Sequence, residues 1–127
     1  MKLTMVNLKA KDVARTAHFY RDAIGLEIAG HHGHMPDFDL NGTYLTITQS
    51  EFITKLTGAY AQFPVLALEV ENLDKAIDRL RLHHVELPWG IEHGETSRWV
   101  KFHDPAGNLI ELVQFDNLSG DHRKILE

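Results

Sequence analysis

An α+β fold made of two βαβββ modules is what this sequence predicts. The first reason is a repeat. Strand, helix and three further strands run through residues 1–49 and again through 65–115, with 50–64 as linker and 116–127 as tail. The second is matched punctuation. Asp12 and Asn72 stand where a helix N-cap is needed, and Gly42 and Gly107 stand at hairpin turns in the same relative place. The third is physical. One module leaves bare the sheet face opposite its helix, so two must pair. With 127 residues, the chain is one compact domain or two small modules sharing a core.

The elements follow in order. Residues 3–10 read as a strand, with Val6, Leu8 and Ala10 on one face and Met5, Asn7 and Lys9 on the other. Asp12 caps a helix over 13–24, in which Val13, Ala17, Tyr20 and Ile24 recur at helical spacing; Gly25 ends it. Leu26–Ala29 begins a strand, and Gly30–His34 reads as a flexible turn. Residues 35–40 and 43–49 form a hairpin about Asn41-Gly42, with Tyr44, Thr46 and Thr48 sharing one face. Ser50 can cap a short helix over 51–57. The second module places strands at 65–71, 85–91, 97–103 and 108–114 and a helix at 73–83, with Pro88 making 85–91 irregular. A short helix from Asp121 is expected in the tail.

Residues 102–114 carry the most information. Asp104-Pro105-Ala106-Gly107 is a tight turn, because proline pre-sets φ and glycine accepts a positive one. Beyond it, Ile110 and Leu112 share one face, and Leu109, Glu111 and Val113 share the other. Glu111 is thus a carboxylate on an apolar strand face. It is either exposed or salt-bridged, or it stands on the floor of a cavity, where it can hold a metal or a substrate proton.

The run Asp104–Leu112 resembles the C-terminal signature of the vicinal-oxygen-chelate superfamily, which includes glyoxalase I, extradiol dioxygenases and bleomycin-resistance proteins. Asp12–Leu26, with its Phe19-Tyr20 pair and Ile24-Gly25-Leu26 ending, is similar to the first helix of that family. The resemblance implies that the modules pair into a curved mixed sheet around a cavity, helices outside. It also implies a ligand set, since members usually hold one divalent metal through His, Glu or Gln on the first and last strand of each half. The matching positions are Met5 and Val65, seven residues before Asp12 and Asn72, and Thr46 and Glu111, four after Gly42 and Gly107. A thioether is a soft ligand, a neutral hydroxyl is poor and valine is none. Shifting the alignment by one residue gives no better set. No metal and no other cofactor is therefore expected.

The nine histidines do not change this. His31, His32 and His34 sit in a glycine-bracketed loop without the rigidity of a catalytic site. His83 and His84 sit at a helix end, where the macrodipole favours them. His18 lies on the first helix and His103 beside a turn, while His93 lies in a loop at the cavity mouth. Trp99 and Lys101 share the face opposite Val100 and Phe102, so a stacking surface and a cation stand on the Glu111 side. The expected ligand contacts are Met5, Asn7, Thr46, Val65, Trp99, Lys101 and Glu111, with Glu111 the catalytic candidate.

Composition narrows the partners. No apolar run approaches the roughly 20 residues of a membrane span, and the absence of cysteine excludes disulfides and thiol chemistry. A net charge of −5 argues against a nucleic-acid surface and favours neutral or cationic ligands. A cytoplasmic homodimer is expected. The leading functional reading is a metal-free protein that binds a small organic molecule, on the pattern of the bleomycin-resistance branch. The alternative is a lyase, isomerase or dioxygenase that uses a metal or Glu111 as general base. A third reading is a structural partner whose cavity its own side chains fill.

Overall fold

The structure, a computed structural model, describes residues 1–32, 35–51 and 65–116. The helices expected over 51–57 and from Asp121 fall outside these, as does His34. Among the described residues are two four-stranded mixed sheets, each with its own helix. The chain divides into two units. One comprises Met1–Phe63 with Asp104–Asn108, the other Pro64–His103 with Leu109–Glu127.

In the first unit the sheet order is β1 (Met5–Ala10), β4 (Thr43–Gln49), β3 (Met35–Leu40), β2 (Ile28–His32). β1 runs parallel to β4, and the other pairs are antiparallel. Asn41 and Gly42 both take positive φ, 59° and 100°, as the expected two-residue hairpin turn requires. α1 (Val13–Phe19) starts where Asp12 accepts the Arg15 amide at 3.0 Å. The expected helix over 13–24 is not uniformly α. From Tyr20 to Ile24 it widens to π winding, and the Gly25 amide donates to the Tyr20 carbonyl five residues back. The widening buries Ala23 in place of Ile24, beside Ala17, Tyr20, Phe38, Leu45 and Ile47.

Gly30–His32 is strand, which corrects the turn expected there. A bulge between Ile28 and Gly30 absorbs one residue, and the edge strand then resumes pairing, with Gly30 opposite Asp37 and His31 opposite Pro36.

The turn Asp104–Asn108 belongs to this unit, and the Asp104 side chain organises it. Oδ1 accepts the Ala106 and Asn108 amides, each at 2.9 Å. Oδ2 accepts the Asn108 side-chain amide at 2.9 Å and the Tyr20 hydroxyl at 2.7 Å. The carboxylate is 4% exposed, and these four bonds match its acceptor capacity. Burial, aided by the charge and hydrogen bond of Asp104, pushes the Tyr20 hydroxyl far above its usual range, so it remains a donor.

In the second unit the order is β5 (Leu66–Glu69), β8 (Leu109–Phe115), β7 (Ser97–His103), β6 (Glu92–His93). β5 and β8 are parallel. Asn72 caps α2 (Leu73–Leu82) by accepting the Lys75 amide at 3.0 Å, and Gln114 Oε1 accepts the Leu73 amide at 2.7 Å. Leu73, Ile77 and Leu80 of α2 are buried, as are Val100, Phe102, Ile110 and Leu112 on the sheet. His83 caps the helix and His84 turns the chain at φ 59°.

No strand forms over 85–91. Pro88 lacks an amide donor, and a turn closes from Leu87 to Gly90 at φ 62°. Only Glu92 and His93 pair, with Trp99 and Arg98, so His93 is in an edge strand rather than the expected loop.

Tyr20→Phe tests the turn. It removes a donor from a buried carboxylate and is expected to cost about 1.5–3 kcal/mol. Urea unfolding with an unchanged m value measures this, and wild-type stability contradicts it.

Candidate functional site

Each sheet has a face that its helix does not cover, and strand parity assigns the predicted site residues to these open faces. In the first unit the open face of β1 carries Met5, Asn7 and Lys9, all exposed. Register sets Met5 beside Tyr44, and Asn7 beside Thr46, with Asp37 on the far side of Thr46. The Asn7 side-chain amide donates to Thr46 Oγ1 at 2.7 Å and to Thr48 Oγ1 at 2.6 Å. The structure thus brings Asn7 and Thr46 together. Thr46 is buried, with its hydroxyl already engaged. Asp37, also buried, escaped sequence reading although its β3 parity with Asp39 was available.

In the second unit, Glu111 stands between Ala67 of β5 and Lys101 of β7. The next row is Glu69, Val113, Trp99 and Glu92. Val65 precedes β5 and is exposed. The Trp99 ring lies against Gly94, where an added Cβ would meet it at 3.1 Å, so part of this tryptophan's surface serves packing. Lys101 Nζ is 3.2 Å from Glu92 Oε1 and 5.3 Å from the centre of the Trp89 ring. Trp89, half exposed in the loop between α2 and β6, was missed by the sequence reading, because that reading set it within an irregular strand over 85–91 that does not form.

Glu111 is half-buried on a face otherwise apolar along its own strand. Desolvation holds its carboxyl above the usual range; Lys101 partly offsets this and Glu92 adds to it. A carboxyl so placed can accept a proton or donate one nearer neutrality than an ordinary glutamate.

A sequence model of the Glyoxalase/Bleomycin resistance protein/Dioxygenase superfamily matches residues 2–112. The chain belongs to that superfamily. It is 28% identical over 129 residues to the uncharacterized protein YraH of Bacillus subtilis (strain 168), covering 90% of this chain and 98% of that one. A glyoxalase/bleomycin resistance protein/dioxygenase from Nocardioides matches with TM-score 0.67 and 22% identity, over 92% of this chain and 85% of that one. A lactoylglutathione lyase from Agrobacterium tumefaciens matches with TM-score 0.68 and 18% identity, over 89% and 92%. At these identities the two structures speak for the fold alone.

The superfamily's usual metal does not fit the donors this chain offers. Of Met5, Thr46, Val65 and Glu111, only Glu111 supplies a hard anionic ligand. The Thr46 hydroxyl already accepts from Asn7. Among the described residues, no group of three or more His, Cys, Asp or Glu gathers in a way that suits a metal ion.

The raised carboxyl has a consequence for stability. Folded Glu111 holds its proton to higher pH than unfolded Glu111, so wild type loses stability as pH rises through that window. Glu111→Gln does not titrate. It is expected to melt no lower than wild type at neutral pH, with any advantage vanishing below the carboxylate range. A variant that melts lower at pH 7 but not in acid shows instead that Glu111 stabilises the fold through its charge.

Proposed function

We propose that this superfamily member binds a small organic molecule on its open sheet faces without a resident metal. The donor set carries the reading: three of the four positions where relatives hold a metal have a thioether, an engaged hydroxyl and an aliphatic side chain. What the open face of the second unit offers is instead suited to an organic ligand. Trp99 and Trp89 supply aromatic surface, Lys101 a cation, and Glu111 a carboxyl with a perturbed proton affinity. Asn7, Thr46 and Thr48 give the first unit's face neutral hydrogen-bonding groups.

Elemental analysis of protein purified without chelator is expected to find much less than one divalent ion per chain. About one ion per chain, lost in Glu111→Ala, overturns the reading.

A second reading rests on the Glu111 carboxyl alone. A desolvated glutamate is suited to general-base catalysis, as in an isomerase or lyase. Turnover that rises with pH through the Glu111 titration and disappears in Glu111→Gln favours this enzyme over a binding protein.

The same proposal includes a homodimer. Among the described residues β1 and β2 end the first sheet and β5 and β6 the second, and sheet edges favour a partner. Sedimentation is expected to give about twice the 14.5 kDa chain mass at micromolar concentration, and a monomer contradicts it.

A further inference from the structure

The Lys101 ammonium is not where its strand register would send it. Lys101 lies directly across from Glu111, a placement in which opposite charges ordinarily meet. Its Nζ lies instead 3.2 Å from Glu92 Oε1, in an ionic contact rather than an aligned hydrogen bond. The same nitrogen is 5.3 Å from the centre of the Trp89 ring. That ring also meets the His103 imidazole, centroids 5.9 Å apart and planes tilted by 45°. Among the described residues, Glu111 makes no hydrogen bond and no ion pair.

Two carboxylates therefore compete for one ammonium, and the one farther away in register has it. Coulomb attraction alone does not choose between them, since both face Lys101 from neighbouring strands. The indole breaks the tie. A cation over an exposed ring gains roughly two- to fivefold in population, and only the Glu92 side offers that ring. His103 in turn supports the indole.

We propose that Trp89 and Glu92 are positioning residues that hold Lys101 off its cross-strand partner Glu111 and leave that carboxyl for a ligand. This rests on the reading that Glu111 contacts the ligand. It explains how a lysine and a glutamate in register on one sheet face avoid closing into a structural ion pair. The titratable groups sharing the open face are Glu69 of β5, Glu92 of β6, and Lys101 and His103 of β7; Arg98 and His93 lie on the opposite face.

Carboxyl carbon NMR shifts of Glu111 in the ligand-free protein test the arrangement. Glu92→Gln frees Lys101 to move to Glu111 and is expected to lower the titration midpoint by about one pH unit. In a Lys101→Met background the same substitution removes only a like charge and is expected to shift the midpoint by about half as much or less. Equal shifts in the two backgrounds overturn the proposal. Trp89→Phe keeps a ring and is expected to keep the wild-type midpoint, whereas Trp89→Ala lowers it. A Trp89→Ala shift that persists undiminished with Lys101→Met overturns the role given to Trp89, since it then reflects solvent access alone. Because the midpoints are read in ligand-free protein, failure here is distinct from failure of the binding reading, which shows instead as about one divalent ion per chain, lost in Glu111→Ala.

Discussion

The register between β7 and β8 depends on how the Asp104 carboxylate is held. The turn it organises joins the two strands, with His103 and Leu109 paired on either side of it. Strand side chains alternate with a period of two, so a slip of one residue would turn Glu111 toward the helix and bring Leu112 to the open face. The turn resists this through bonds that only one geometry satisfies. Asp104 accepts from two backbone amides inside the turn, while its own amide donates to the Asn108 carbonyl at 2.9 Å. Tyr20 then fixes the carboxylate from α1's π-wound extension. The widened winding and the buried phenol thus bear on a pairing far away in sequence, and that pairing sets which residues stand on the open face of the second sheet.

Much of this was legible in the sequence, because the signals were local and periodic. The two N-caps, Asp12 and Asn72, accept from Arg15 and Lys75 as their spacing implies. The Asn41-Gly42 hairpin and the parity of β8 also stand as read, since each depends on one turn chemistry and one alternation. What escaped depends on tertiary context. π winding has no signature in helical periodicity. Gly30, His31 and His32 look like a loop until an edge strand pairs with β3 across a bulge. Residues 85–91 alternate like a strand, yet Pro88 and the turn at Gly90 prevent pairing.

The candidate site divides in the same way. Strand alternation put Trp99, Lys101 and Glu111 on one face, and Asn7 and Thr46 on another, and register makes them neighbours within their own sheets. Alternation does not report where a long side chain ends. Lys101 reads as the natural partner of Glu111, and only coordinates reveal Glu92 and Trp89 as competitors for its ammonium. The two open faces also differ in chemistry. The first presents neutral donors and acceptors tied by Asn7, and the second presents charge and aromatic surface. Superfamily membership supplies the scaffold for both, and the same scaffold hosts chemistries that differ in their side chains.

In the function proposed for this protein, Glu111 faces an organic ligand and not a metal. A crystal structure of protein purified without chelator, with data collected at the absorption edges of the first-row transition metals, addresses it directly. The expected result is organic density against Glu111 and no anomalous peak within about 2.0–2.2 Å of its oxygens, the distance of a bound Zn²⁺ or similar ion. An anomalous peak at that distance would contradict it.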